Sequence, residues 1–242
     1  MQRQAEPEFM DLAAEAEAYA MANFGDVNEA FVARLLELVG DARASRRAQG
    51  FRAALPRAEP GRAVAVDLGT GPGDIPLRLL RARPRWRVVA VDAAFPMLEF
   101  ARASRAACKR RRLAFVQADA KTLPFSSAFF DVAFSNSILH HITDTPAFWS
   151  ELKRVAKPSA WVFLRDLSRP DDEETARYIV ARYAGSESEL LQEEYYRSLL
   201  SAYTPAEVRA QLDQARLFGL DVTQATDRHL DVFGRLRKNP EA

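Results

Sequence analysis

The stretch Ala63–Leu80, AVAVDLGTGPGDIPLRLL, constrains the fold more than any other part of the chain. Mostly apolar residues run into glycines at alternate positions, Gly69, Gly71 and Gly73, and a helical pattern starts directly behind them. This is the signature of a strand, a tight turn and a helix, and the bare backbone of such a turn lets a ligand approach closely. Two carboxylates frame it, Asp67 before and Asp74 after.

The residues around the glycines narrow the ligand. A phosphate-cradling P-loop needs Lys and Ser or Thr after its last glycine, and here Asp-Ile-Pro follows. A dinucleotide fingerprint needs a third glycine where Asp74 stands. A carboxylate there suits the positive end of a helix but repels a pyrophosphate seeking the same amides. Asp67, at the end of the preceding strand, attracts a cation. A ligand with an ammonium, a sulfonium and an adenosine satisfies these conditions better than a dinucleotide.

Beyond the turn, short apolar runs at Ala63–Leu68, Arg87–Val91, Leu113–Val116, Asp131–Phe134 and Ala160–Leu167 alternate with helical stretches at Ile75–Ala82, Phe95–Ala107 and Pro146–Ala156. Strands alternating with helices predict a parallel α/β sheet. Thr204–Glu207, TPAE, supplies an N-cap, a proline at the first helical position and a capping glutamate. LDVTQAT and HLDVFGR then read as two strands joined by a turn near Asp227-Arg228, which adds a terminal hairpin.

Ahead of the core, Glu8–Val39 reads as two helices broken near Gly25-Asp26, with Phe9, Leu12, Ala16, Tyr19 and Ala20 in helical spacing, then Phe31, Leu35, Leu36 and Val39. Asp41–Arg62 reads as a linker, and Asp171–Tyr203 as a long helical insertion over the open face. The expected organisation is one domain, 1–242, with a helical cap and linker (8–57), a ligand-binding core (63–167), the insertion (168–203), and a last helix with the hairpin (204–235).

At 242 residues and 48% hydrophobic, the chain can bury a full core. One cysteine, Cys108, excludes an internal disulfide framework and a CxxC site, so a reducing, cytoplasmic location is expected. The N-terminal stretch is acidic and Ala-rich rather than signal-like, and no apolar run is long enough to span a bilayer. A formal net charge of +1 provides no field for nucleic acid or anionic lipid. The basic run Cys108–Arg112 reads as a solvated helix end.

With DLGTGPG in place, the sequence resembles the class I S-adenosylmethionine-dependent methyltransferases, most closely over Ala63–Leu167. The resemblance implies a Rossmann-like, doubly wound, mostly parallel seven-stranded sheet with a C-terminal antiparallel hairpin, and S-adenosylmethionine as cofactor. Asp92 lies about twenty residues past the last glycine, a spacing that suits an acid gripping ribose hydroxyls. The resemblance gives Asp92 that role, lines the adenine with Ala93 and Met97, and assigns Asp119, with Ala120 beside it, to the adenine amine. It places Asp67, Gly69 and Gly71 at the amino-acid end with Asn136 contributing, counts Thr70 and Gly73 among the cofactor-binding residues, and sets Ser135 and Asn136 beside the methionine moiety. Lys157–Phe163 departs from the family's usual Pro-Gly-Gly turn, with Ser159 and Ala160 in place of the glycines.

His140 and His141, two of the three histidines, follow the fourth strand and are candidates for proton removal from an acceptor, with Asn136 beside them. Adjacent residues on a helix or strand point to different faces, so one at most is expected to face the pocket. No carboxylate or cysteine spacing nearby suggests a metal. Tyr19, Tyr178 and Tyr196 are candidates for an acceptor pocket.

The implied reaction is in-line methyl transfer to a small-molecule acceptor, with nucleic acid and membrane excluded as partners and the oligomeric state open. The rival readings are attack at the cofactor's side-chain carbon, releasing methylthioadenosine, and a non-enzymatic binding platform. A lid made of the N-terminal helices and the insertion would make deletion of residues 1–40 abolish turnover more than folding.

Overall fold

The computed structural model describes residues 1–7, 13–22, 24–40, 62–108 and 112–237. The expected linker after Asp41, the helical positions Phe9 and Leu12, and Lys109–Arg111 of the basic run lie outside those residues.

Seven strands form one sheet in the order β3-β2-β1-β4-β5-β7-β6. They are β1 (Val64–Leu68), β2 (Arg87–Asp92), β3 (Leu113–Gln117), β4 (Phe130–Asn136), β5 (Ala156–Leu167), β6 (Leu220–Gln224) and β7 (His229–Arg235). The first five are parallel, and β7 inserts antiparallel between β5 and β6. The expected α/β class and terminal hairpin are therefore present. From β1 the chain winds outward through β2 and β3, then returns to place β4 on the other side. This makes the carboxyl edge between β1 and β4 the topological switch point, where such sheets bind ligands.

Strand periodicity separates two apolar layers. Val66, Ala133, Val162 and Leu164 face one side, and Ala65, Val132, Phe134 and Phe163 the other. The first side is covered by α5 (Thr145–Val155) and α8 (Pro205–Gln214), through Phe148, Trp149 and Leu152, and Val208 and Leu212. The second is covered by α2 (Gly25–Gly40) and α3 (Asp74–Ala82), through Phe31, Val32 and Leu35, and Ile75, Leu77, Leu79 and Leu80. Capping sets where helices begin. Asp144 accepts from Ala147 N at the start of α5, and Thr204 with Glu207 forms the expected capping box on α8.

Two expectations change. No turn separates α5 from β5, because the strand starts at Ala156, directly after the helix. Ala156 pairs with Phe130 and Trp161 with Val132, so Lys157–Ala160 bulge against the single residue Asp131. Pro158, which has no N–H to give a ladder, sits in that irregular stretch. The insertion is two helices, α6 (Glu173–Ala184) and α7 (Glu189–Ser201), packed together through Ala176, Ile179, Val180, Leu199 and Leu200. Asp172 and Ser188 cap their starts, accepting from Thr175 N and Leu191 N.

The N-terminal helices are not a detachable lid. Phe31 on α2 is fully buried against the sheet, so removing residues 1–40 removes core and is expected to cost folding. The shorter α1 (Ala13–Met21) does reach the ligand edge, where Tyr19 packs on Ala94 and Met97 ahead of and within α4 (Phe95–Cys108). No helix among the described residues is long and apolar enough to cross a membrane.

Candidate functional site

At the β1–β4 switch point lies a cavity of about 320 Å³, walled by strand ends below and by α1, α2, α6 and α7 around and above. The glycine turn forms its floor. Gly69 N and Thr70 N both donate to Val91 O at 2.9 Å, tying the end of β1 to β2. Gly69, Gly71 and Gly73 have φ of +71°, +54° and +79°, which L side chains rarely adopt. Each glycine does something different. A Cβ on Gly69 would strike Ile138 at 2.9 Å. On Gly71 it would enter the cavity, its nearest neighbour being the Tyr19 ring at 3.9 Å. On Gly73 it would meet Ala101 Cβ at 3.0 Å, so this glycine lets α4 approach and does not line the cavity.

Asp67 is almost fully buried and accepts from Thr70 Oγ1 at 2.7 Å. Burial pushes its carboxyl up to about 7, with the Thr70 hydrogen bond opposing and the charge of Asp92 adding. Asp92 holds the turn together. Its Oδ2 accepts from Gly71 N at 2.7 Å and its Oδ1 from Ala94 N at 2.9 Å. The Ala93 amide also bonds to this carboxylate, which lines the cavity and keeps acceptor capacity for a ligand hydroxyl. Burial raises the Asp92 pKa despite these amides. Asp119 accepts from Lys121 N at 2.8 Å and pairs with Lys121 Nζ at 3.1 Å. Tyr19 covers this end, its phenol pushed up to about 12 by burial and then by the Asp92 charge.

The other end is built around Leu139–His141, a 3-10 turn following β4. The tight turn overrides the expected alternation: both His140 and His141 line the cavity, their ring centroids 4.2 Å apart. His140 Nδ1 lies 2.5 Å from Oδ1 of buried Asp166, whose Oδ2 accepts from Leu139 N. Residues 1–7 pass over this turn. Arg3 donates to His140 O and Ser201 O, and Glu6 Oε1 lies 3.6 Å from His140 Nε2 and 3.2 Å from His141 Nδ1. Ser198 and Ser201 hydroxyls donate to Glu6. Burial alone would depress the His140 pKa, but the Asp166 charge and hydrogen bond, with Glu6 behind, hold it above its ordinary value. Burial raises the Glu6 carboxyl, and the His140 charge opposes. At Asp166 burial works to raise the carboxyl, but the His140 charge and hydrogen bond, the Leu139 amide and the His141 charge together keep it below its usual range.

Of the sequence-predicted residues, Asp67, Gly69, Thr70, Gly71, Asp92, Ala93, Met97, Asp119, Ala120, Asn136, His140, His141 and Tyr19 all line this one cavity. Gly73 and Ser135 do not; Ser135 is buried and donates to Leu68 O, bracing β4 on β1. Tyr178 and Tyr196 are also outside it. Tyr178 is 60% exposed, and Tyr196 turns outward to donate to Glu173. Tyr183 and Tyr195 take the expected place. The Arg228 guanidinium stacks 3.6 Å over Tyr183 and donates to Tyr195 Oη at 3.0 Å, while burial, and then the Arg228 charge, lower His229 to about 4. Sequence reading missed Glu6, Asp166, Arg228 and His229, and among the tyrosines that crowd the insertion it did not single out Tyr183 and Tyr195. Asp166 carried a usable signal, an acid at the end of a parallel strand like Asp67 and Asp92. The fold also gathers a possible ligand set for a metal, Glu6, His140 and His141, that no local spacing contained.

Comparison with known proteins agrees with this geometry. Residues 66–164 match the family model described as a methyltransferase domain. The chain is 36% identical over 113 residues to a demethylmenaquinone methyltransferase of Roseiflexus sp. (strain RS-1), covering 47% of this chain and 46% of that protein. It is 35% identical over 112 residues to a malonyl-[acyl-carrier protein] O-methyltransferase of Xylella fastidiosa (strain M23), covering 45% and 36%. The chain thus spans about half the length of the curated relatives it matches, or less. A SAM-dependent methyltransferase from Aquifex aeolicus has the same fold, with a TM-score of 0.60 at 17% identity over 93% of this chain and 98% of that one. Over residues 66–164 the chain is similar to methyltransferase domains, and its seven-stranded sheet has the fold of the Aquifex aeolicus protein.

Proposed function

We propose that the protein is an S-adenosylmethionine-dependent methyltransferase that acts on a small-molecule acceptor and releases S-adenosylhomocysteine. The observation that carries this reading is the junction of two unlike halves in one cavity. Bare glycine backbone and three strand-end carboxylates stand at one end, and a cluster of histidine, tyrosine and arginine side chains without bare glycine backbone at the other. The cofactor's chemistry fits the first half. Asp67 meets a cationic amino-acid end, Gly71 leaves room where a Cβ would intrude, Asp92 keeps acceptor capacity for ribose hydroxyls, and Asp119 accepts beside the adenine wall of Ala93 and Met97.

When bound, the cofactor supplies an electrophilic methyl on a positively charged sulfur. The chain's own work is to aim the acceptor along the sulfur–methyl axis and to exclude water, which can account for most of the acceleration. Tyr183, Tyr195 and Arg228 shape the acceptor half, and Asn136, His140 and His141 stand between the halves as the candidate catalytic groups. The cover by α1, α6 and α7 suits a small molecule, as do the quinone and carrier-bound acyl acceptors in the relatives' names.

The reading makes a pH prediction through Asp67. Its carboxyl in the free protein is raised to about 7, and a cationic ligand favours the ionised form, so binding draws a proton off below that pH. The dissociation constant of S-adenosylmethionine is expected to rise about tenfold from pH 8 to pH 6, and Asp67→Asn to flatten that slope; calorimetry at several pH values checks it. For the reaction, incubating the protein with S-adenosylmethionine and a panel of quinols, phenols and carboxylic acids should give S-adenosylhomocysteine with one acceptor class. Methylthioadenosine formed without any acceptor, above the spontaneous background of a protein-free control, would overturn methyl transfer.

A further inference from the structure

The acceptor end holds three side chains in an arrangement that methyl transfer by positioning alone does not require. Glu6, His140 and His141 each offer a donor atom, and the three atoms lie within 4.8 Å of one another. Glu6 Oε1 is 3.2 Å from His141 Nδ1 and 3.6 Å from His140 Nε2. Two ligand atoms on a tetrahedral ion with bonds of about 2.0–2.1 Å are separated by roughly 3.3 Å, so both spacings are close to those of a coordination shell.

The surroundings are those of a ligand set as well. His140 Nδ1 is engaged by Oδ1 of Asp166, which fixes the ring and leaves Nε2 to face Glu6. A carboxylate behind a ligating imidazole is the usual outer-shell partner, setting its tautomer and raising its basicity. Asp166 is itself held by Leu139 N and Leu167 N, so the orientation is built into the backbone. Glu6, with a side chain only 7% exposed, is steadied by the Ser198 and Ser201 hydroxyls. Its chain segment is anchored on both sides of the cluster, through Gln4 N to Leu200 O and Arg3 to His140 O. A buried carboxylate facing two imidazole nitrogens offers three donor atoms to a cation, which would take the place of the proton shared between Glu6 and His140.

We infer that Glu6, His140 and His141 form a site for a late first-row divalent metal ion, with Asp166 as its positioning residue. Two imidazoles and one carboxylate are a zinc-type donor set, and Co²⁺ and Ni²⁺ suit the same nitrogens. Three protein ligands leave at least one coordination position, and both histidines line the cavity, so that position is available to an oxygen or nitrogen of the acceptor. The site belongs to the chain itself, and its occupancy can be read with no S-adenosylmethionine present, so it stands or falls apart from the proposed methyl transfer.

The test is titration of the chelator-treated full-length protein with ZnCl₂ by calorimetry and with CoCl₂ by visible absorption. One equivalent of Zn²⁺ is expected, together with the visible bands of low-coordinate Co²⁺. Glu6→Gln preserves shape and His141→Gln changes a partly exposed ring; each is expected to weaken Zn²⁺ at least about a hundredfold while circular dichroism stays that of the parent. Cys108→Ser is expected to leave binding unchanged. Absence of stoichiometric Zn²⁺, Co²⁺ and Ni²⁺ binding by the folded protein overturns the inference. So does binding that survives undiminished in both folded ligand variants.

Discussion

Asp92→Ala is expected to weaken S-adenosylmethionine binding by at least about a hundredfold while leaving the sheet folded. Asp92 has two tasks in one carboxylate. Toward the protein it accepts from Gly71 N and Ala94 N, fixing the glycine turn and the entry to α4. Toward the cavity it offers its remaining acceptor capacity. Hydrogen bonds to a charged group contribute about 1.5–3 kcal/mol each, so loss of a bidentate grip corresponds to two or more orders of magnitude in affinity. Folding is less exposed, because burial of Asp92 disfavours its charged form and the alanine relieves that cost. Asn is not a conservative replacement here, since its amide would turn a donor toward one of two backbone N–H groups. Calorimetry decides it: a variant that binds within threefold of the parent would remove Asp92 from the cofactor site.

Phe31→Ala is expected to cost about 3–5 kcal/mol of folding stability, as truncation of a buried aromatic side chain typically does. The ring is fully buried, stacked at 4.6 Å on Phe163 and tilted at 6.2 Å against Phe134, so it fastens α2 to the centre of the sheet. The effect should also reach the ligand, because Val27 and Asn28 on the same helix line the cavity. Tyr178→Ala is the contrast: the side chain is largely exposed and should change stability by less than about 0.5 kcal/mol. Urea unfolding of the two variants checks both, and a loss for Phe31→Ala as small as that expected of Tyr178→Ala would mean that α2 does not belong to the core.

The sheet and the cofactor half were legible in the sequence for one physical reason. Parallel strands announce themselves as apolar runs, and Asp67, Asp92 and Asp119 stand where those runs stop, so their shared edge could be read from local pattern, while their roles toward a ligand rest on the resemblance. The same rule reaches Asp166 at the end of β5. Glu6 was illegible, because it lies in a non-periodic segment 134 residues before its partner His140, and only folding brings the two together. Tyrosines of the insertion were misassigned for a related reason. Helical spacing says which residues share a face, but not which face meets the cavity, and the break between Ala184 and Glu189 resets the phase. Arg228 was read as part of a hairpin turn, where local sequence reports geometry and not what the turn overhangs.

The central claim is that this cavity holds S-adenosylmethionine, and the most direct measurement is calorimetric titration of the purified protein with S-adenosylmethionine and with S-adenosylhomocysteine at pH 8. The account predicts saturable binding of both at one site per chain, abolished or greatly weakened by Asp92→Ala. Absence of binding by the folded parent protein at millimolar ligand would contradict it.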